Sequence, residues 1–324
     1  MEAKPVDSLP EGKGWQFEPK WDGFRCLVFR DGEEIALQSK AGRPLGRYFP
    51  EVVALVRALR EPRLVLDGEL IIRVDGALSF DALQMRLHPA ESRIRKLAAQ
   101  IPAELMLFDC LQSGAKGLRD APLRERRAAL ESFHRRARRD GLMLSPATED
   151  RASATTWLDG AGGDLDGVVA KRLDEPYRPG ERAMLKVKPA RTADCVVGGF
   201  RYGAGERQIG SLLLGLYDEA GKLNHVGFTS AIPAVDKPAL TARLEKLIAP
   251  PGFTGNAPGG PSRWSDGRSA AWEPLRSELV AEVGYDHVSG GRFRHGTKFL
   301  RWRPDKAPEQ CTIDQIRPGN AAAA

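Results

Sequence analysis

Lys20 stands in the string Glu18-Pro19-Lys20-Trp21-Asp22-Gly23-Phe24-Arg25, with Trp15, Phe17, Trp21 and Phe24 close by in the chain. A lysine amine attacks an electrophile only in its neutral form, and its ordinary pKa is about 10.4. Partial desolvation and neighbouring cations both lower that value, which is how a lysine becomes a nucleophile. Far downstream, Lys186 and Lys188 alternate with Leu185 and Val187. On a strand that spacing puts both ammonium groups on one face. Each feature alone has a plainer meaning: Lys20 as a surface charge before a turn, the lysine pair as a solvated strand face.

Such residues need elements to position them. The 324 residues favour two domains. With 42% hydrophobic and 28% charged residues the chain is of the globular class, not disordered or fibrous. Cys26–Phe29 and Ile35–Gln38 flank Asp31-Gly32, a hairpin signal. Val52, Val53, Leu55, Val56 and Leu59 recur at helical spacing, and a second helix is expected over Leu123–Arg139 with Leu130, Phe133 and Ala137 on one side. Leu64–Ile72, interrupted by Asp67-Gly68-Glu69, Leu105–Asp109, Val168–Lys171 and Met184–Val187 read as strands. Helices this few and irregular do not make βαβ repeats, so the fold class is α+β on antiparallel sheets. After Pro189 the pattern turns to Gly-punctuated strands at Cys195–Phe200, Ser211–Tyr217, Leu223–Thr229 and Glu278–Tyr285, with one helix over Lys237–Ile248. That composition suits a small all-β barrel of the OB-fold type. The expected division is 1–190, 191–316 and a disordered tail at 317–324, with a mobile loop over Pro250–Gly267.

Cys26, Cys110, Cys195 and Cys311 form no CxxC pair and the five histidines form no HExxH, which argues against a zinc site or a disulfide framework. No apolar run reaches the length of a membrane span, and Met1–Glu18 has no h-region, so a cytoplasmic protein is expected. The formal charge of +6 is a mild bias towards anionic partners. The local cluster is sharper: Arg292, Arg294, Lys298, Arg301, Arg303 and Lys306 interleave with Phe293, His295, Phe299 and Trp302, a pattern suited to phosphate contact or to a soluble barrel edge. The arginines of Arg124–Arg139 read as a solvated helix face.

Six strings in fixed order resemble the motifs of the covalent nucleotidyltransferases, the ATP-dependent DNA ligases, RNA ligases and mRNA capping enzymes. Lys20-Trp21-Asp22-Gly23-Phe24-Arg25 matches KxDGxR and Leu66-Asp67-Gly68-Glu69-Leu70 the DGE strand. Leu107-Phe108-Asp109 matches the aromatic strand, Asp166-Gly167-Val168-Val169-Ala170-Lys171 the (E)GvvaK strand, Leu185-Lys186-Val187-Lys188-Pro189 the KxK strand, and Arg303-Pro304-Asp305-Lys306 the RxDK segment. Each is weak alone; the ordered set spans nearly the whole chain. The wording resembles short bacterial ATP-dependent DNA ligases, of the kind typified by mycobacterial ligase C and the ligase module of ligase D.

The resemblance implies that Lys20 attacks the α-phosphate of ATP to form a lysyl-AMP, that AMP passes to the 5′-phosphate of a nick in duplex DNA, and that the 3′-hydroxyl then seals the strand. It implies Glu18 reading the adenine amino group, Phe108 stacking on the base, Arg25 on the ribose or nick phosphate, and Lys186 and Lys188 on the α-phosphate, where they also depress the pKa of Lys20. Glu69 and Asp166 are the implied ligands of Mg²⁺, with Mn²⁺ as an alternative; both acids are hard oxygen donors. Asp166 stands where the family usually has Glu. Ser39-Lys40-Ala41-Gly42-Arg43 departs from the family's SRN-like string, which leaves Lys40 and Arg43 both open as the phosphate ligand. Arg303, Asp305 and Lys306 would orient pyrophosphate when the second domain closes, implying a hinge near residue 190. A monomer acting in DNA repair, with repair proteins as further partners and no membrane role, completes the expectation. RNA-end joining or capping is the alternative enzyme, and a non-catalytic OB-type nucleic-acid binder the alternative class.

Overall fold

A computed structural model of the protein describes residues 1–161, 165–189, 191–203, 207–230, 232, 236–259 and 271–317. The chain splits into two compact units, Met1–Pro189 and Ala190–Ala324.

The first unit holds two large sheets, beside a short hairpin of Arg73–Val74 with Ala77–Leu78. One orders β1 (Ala3–Pro5), β9 (Met184–Val187), β8 (Leu165–Arg172) and β2 (Trp15–Trp21) side by side. The other runs β7 (Leu142–Leu144), β6 (Glu104–Ser113), β5 (Arg63–Ile71), β3 (Phe24–Asp31) and β4 (Glu34–Ser39). The hairpin falls where the Asp-Gly signal puts it, with Asp31 opposite Glu34. The sheets are antiparallel except at one edge each, where β1 runs parallel to β9 and β7 parallel to β6. Both exceptions are three-residue strands reached by long connections, which is what parallel pairing requires.

Asp67-Gly68-Glu69 does not interrupt β5. The strand runs through it, and its register against β6 shifts between Asp67 and Gly68. A Cβ at Gly68 would lie 2.7 Å from the Met106 carbonyl, so the glycine serves close strand approach rather than a turn.

Helices α1 (Pro50–Arg57), α2 (Phe80–Arg86), α3 (Glu91–Gln100), α4 (Leu123–Ala137) and α5 (Arg151–Asp159) accompany these sheets. The sequence pattern foretold α1 and α4 only. The other three have thin apolar stripes: α3 buries Ile94 and Ala98, and α5 only Ala154. The starts of α2 and α5 were readable from caps, since Ser79 accepts from the Ala82 N–H and Asp150 from those of Ala152 and Ser153; α3 follows Ala90, which offers no side-chain cap. The main core lies on one face of the second sheet, where Val28, Leu66, Leu70 and Leu105 meet Val52 and Val56 of α1 and Leu130 and Phe133 of α4. Each such side chain contributes about 1.5–3 kcal/mol by leaving water.

Not all of α4's arginines are solvated, contrary to the sequence expectation. Arg126 is 1% exposed and forks onto both oxygens of Asp109 at 2.8 and 3.0 Å. Arg127 reaches the Ser145 carbonyl at 2.9 Å.

In the second unit, β12 (Leu223–Thr229), β11 (Ile209–Tyr217), β10 (Arg191–Tyr202), β13 (Val280–Tyr285) and β14 (Lys298–Trp302) form one antiparallel sheet, with α6 (Lys237–Glu245) packed on its core through Leu244. A lone bridge from Thr229 to Thr297 links β12 to the residue before β14. This is the OB-type strand pattern expected. The expected loop runs irregularly through residues 250–259; the rest of it, and the tail from 318, lie outside the described residues.

Removing Arg126 strands a buried carboxylate, which costs about 3–5 kcal/mol. Arg126→Ala is expected to lower the unfolding free energy of the first unit by that amount, read by urea unfolding, with the second unit's transition unmoved.

Candidate active site

The pairing of β2 with β8 builds the site. In register, Gln16 opposes Lys171, Glu18 opposes Val169 and Lys20 opposes Gly167. The register shifts between Leu165 and Gly167, so Asp166 is an extra residue on its strand. Such a bulge re-aims a side chain. Gly167 has φ +136°, and a Cβ there would sit 2.1 Å from the Val187 carbonyl on β9. Only glycine allows that approach.

The outcome is a short contact: Lys20 Nζ donates to Asp166 Oδ2 at 2.5 Å, and Lys188 Nζ lies 3.3 Å from Oδ1. Burial pushes the Asp166 carboxyl up, but Lys20 and Lys188 outweigh it and hold it below the usual range. Asp166 therefore serves first as the counter-ion of the two lysines. It can take a metal only by yielding one of them.

A cavity of about 250 Å³ opens beside Lys20, lined by Glu18, Lys20, Arg25, Lys40, Glu69, Phe108 and Lys186 together with Glu2, Trp21 and Lys171. Seven residues singled out from the sequence thus converge, from five strands and the turn after β4. Lys40 rather than Arg43 reaches the cavity; its ammonium pairs with Glu2 at 3.2 Å. Arg43 is exposed.

Glu18 is 2% exposed and held at both oxygens, by Gln16 Nε2 at 2.6 Å and Lys171 Nζ at 2.7 Å. Lys171 also sits 4.7 Å from the centroid of the Phe108 ring, a cation–π distance. Arg25 is committed to Asp67, with Nε at 3.0 Å from one oxygen and Nη2 at 2.5 Å from the other. Burial alone would lower the Arg25 pKa, and the Asp67 carboxylate more than reverses this. Tyr177 donates to the same Asp67 at 2.8 Å. Burial, then the Asp67 charge, push that phenol well above its usual range. Gln16, Lys171, Asp67 and Tyr177 had no assigned role from sequence; Lys171 and Tyr177 lie 153 and 110 positions from the acids they meet, beyond any spacing signal, whereas Gln16 lies two residues from Glu18, where strand alternation could have found it.

Glu69 makes no ion pair with a described residue within 4 Å. Burial pushes its carboxyl up to about 8, against the lowering effect of Lys20 and Arg25. A desolvated carboxylate without a partner fits a divalent cation, and no group of three or more metal-ligating side chains exists among the described residues. That donor set suits Mg²⁺, which keeps waters and takes few protein carboxylates.

Arg303, Asp305 and Lys306 belong to the second unit and form a cluster there. Asp194 on β10 accepts from Arg303 at 2.9 and 3.1 Å and from Lys306 at 2.7 Å, and Asp305 caps Arg303 at 2.9–3.2 Å.

Residues 1–188 match the model of the ATP-dependent DNA ligase domain, and residues 205–306 that of the ATP-dependent DNA ligase C-terminal region. The chain belongs to the ATP-dependent DNA ligase family. It is 45% identical to DNA ligase C2 of Mycolicibacterium smegmatis over 98% of this chain and 93% of that one. It is 44% identical to DNA ligase C of Mycobacterium tuberculosis, covering 98% and 92%. A solved Lig E DNA ligase, 16% identical with a TM-score of 0.56 over 94% of this chain and 100% of that one, shares the fold. Of the readings open from the sequence, the ATP-dependent DNA ligase is the one the family bears out. No helix among the described residues is long and apolar enough to cross a membrane.

The Glu69 shift makes a signed prediction for this ligase. Its carboxyl titrates near 4.5 when unfolded and about 8 when folded. The fold therefore prefers the protonated acid, and stability declines as pH rises between those values. In chelator-treated protein, Glu69→Gln is expected to raise the melting temperature by a few degrees at pH 8.5. The gain should vanish near pH 4.5, as read by calorimetry across pH.

Proposed function

We propose that this ligase seals breaks bearing a 5′-phosphate and a 3′-hydroxyl in duplex DNA through a lysyl-AMP on Lys20. The observation that carries the reading is Lys20 paired at 2.5 Å with Asp166 on the wall of a cavity that also holds Glu18, Phe108 and Lys186. The first unit is the adenylating domain and the second the OB-type domain.

In the first step Lys20 Nζ gives up a proton, for which Asp166 Oδ2 is the acceptor in place. The amine forms a bond to the α-phosphorus as the bond to the bridging oxygen breaks, and pyrophosphate leaves. In the second, a 5′-phosphate oxygen displaces Lys20 and carries the AMP. In the third, the 3′-hydroxyl forms the phosphodiester, loses its proton, and AMP leaves. Such transfers depend on positioning and charge neutralisation more than on covalent help. Lys186 and Lys188 supply positive charge for the α-phosphate, and Lys188 moves from Asp166 to do so. Phe108 offers a face to the adenine, and Glu18 accepts from its amino group. Arg25, oriented by Asp67, faces the ribose or the nick phosphate, and Lys40 is the further phosphate ligand.

Glu69 would hold Mg²⁺, with Asp166 joining through water once its lysines turn to phosphate. The ion would neutralise phosphate charge. Arg303, Asp305 and Lys306 serve the pyrophosphate, which requires Arg303 and Lys306 to exchange Asp194 for phosphate oxygens. The basic residues around β14 contact the DNA backbone. Binding of that kind reads no sequence and suits a monomeric repair enzyme.

Intact-protein mass spectrometry tests the reading. Incubation with ATP and Mg²⁺ is expected to add one adenylate to the wild type, absent with GTP and absent in Lys20→Ala, and nicked duplex should then discharge it. Asp166→Asn should slow adduct formation by about 10²-fold or more through loss of the proton acceptor. A wild type that neither forms the adduct nor carries one from expression would overturn the proposal. The affinity of the adenylated enzyme for nicked duplex is expected to fall steeply as salt rises from 50 to about 200 mM in a fluorescence titration.

A further inference from the structure

The buried amide of Gln16 has no place in the scheme above, yet it makes a 2.6 Å hydrogen bond to a residue that does. Gln16 is 4% exposed and does not line the nucleotide cavity; Glu18, two residues on along the same face of β2, does. The last torsion of a glutamate is soft and roughly two-fold. A single donor at one oxygen leaves the carboxylate free to turn about it. Here Gln16 Nε2 holds Oε1 and Lys171 Nζ holds Oε2, so the plane is fixed from both ends. An ionised carboxylate has about four acceptor positions. Two are taken, and the free ones remain on oxygens that cannot turn away. Chemistry favours an amide in this place. A second lysine would add a charge to a pair that Lys171 already balances, and a carboxylate would compete with Glu18 for Lys171, which stands opposite residue 16 in register.

From this we infer that Gln16 is a positioning residue for nucleobase choice, holding Glu18 as a fixed acceptor for the exocyclic amine at position 6 of a purine. Guanine presents an acceptor oxygen at that position and is repelled by the same carboxylate. The inference rests on the proposed reading of Glu18, and it adds the group that gives the reading its selectivity.

The test compares lysyl-nucleotide formation from ATP and from purine riboside triphosphate, which lacks the 6-amino group, under single-turnover conditions by intact mass. The wild type is expected to favour ATP by about 10–100-fold, the range of one hydrogen bond to a charged group. In Gln16→Leu that preference should shrink by about 5–10-fold. The loss should fall on ATP, with the purine riboside rate close to wild type, while the donor lost from buried Glu18 lowers the melting temperature by a few degrees without moving that rate. A general packing defect would slow both nucleotides alike. Should Gln16→Leu fail to fold, the straighter and more adaptable Gln16→Met carries the same comparison. A folded variant with an unchanged ATP preference overturns the role of Gln16. A wild type that forms the adduct but does not distinguish the two nucleotides overturns it together with the reading of Glu18. A wild type that forms no adduct at all fails at the earlier proposal instead.

Discussion

The antiparallel pairing of β2 with β8 is the constraint on which the site depends. It joins segments nearly 150 residues apart and, in one register, sets Gln16 against Lys171, Glu18 against Val169 and Lys20 against Gly167. A slip of one residue would turn every one of these side chains to the opposite face. The bulge at Asp166 and the bare Gly167 are what let β9 approach within contact of β8 there, so that Lys188 and Lys20 share one carboxylate. The contacts of Lys20, Asp166 and Lys188 thus follow from this pairing together with that of β8 and β9.

Behind the cavity the second sheet carries a different burden. Asp67 and Asp109 oppose each other on β5 and β6, both almost wholly buried. Two adjacent carboxylates in a low-dielectric interior repel, and neither is tolerable without its own cation. Arg25 answers one and Arg126 the other. Tyr177 ties them together, donating to Asp67 while its ring lies 5.8 Å from the Arg126 guanidinium. The guanidinium that faces the nucleotide is therefore held by a network whose other end is the buried face of α4. Packing of that helix and placement of Arg25 are coupled through the Tyr177 hydrogen bond to Asp67 and its ring contact with Arg126.

This explains what the sequence could and could not say. Lys20, Glu18, Glu69, Phe108 and Lys186 were legible because short strings place each of them on a strand with a known alternation, and the ordered strings resemble one family. Their partners were not. Lys171 lies 153 positions from Glu18, Tyr177 lies 110 from Asp67, and Asp194 lies 109 from Arg303. A buried ion pair leaves no periodic trace in a single chain. The arginines of α4 read as a solvated face for the same reason: composition reports charge, not the carboxylate waiting on the next strand. The missed helices failed on a weaker signal still, since α3 and α5 bury so few apolar side chains that neither shows a stripe, and of the two only α5 carries a side-chain cap.

In the proposed scheme metal and lysine would compete for Asp166, and that competition would order the chemistry. With Lys20 and Lys188 on Asp166, the acid is charged and satisfied, and the amine is poorly placed to be a free nucleophile. Glu69 is the reverse case, desolvated and held toward its neutral form. In the proposed scheme a polyphosphate entering the cavity would draw Lys188 and Lys186 towards itself, and a divalent cation held by Glu69 would stabilise its carboxylate. Asp166 would then lose part of the positive charge that holds its pKa low and become the better base when Lys20 has to lose its proton. In that scheme the ligand that brings the electrophile would also prepare the nucleophile, and the Lys20–Asp166 pair is the closed state from which it starts.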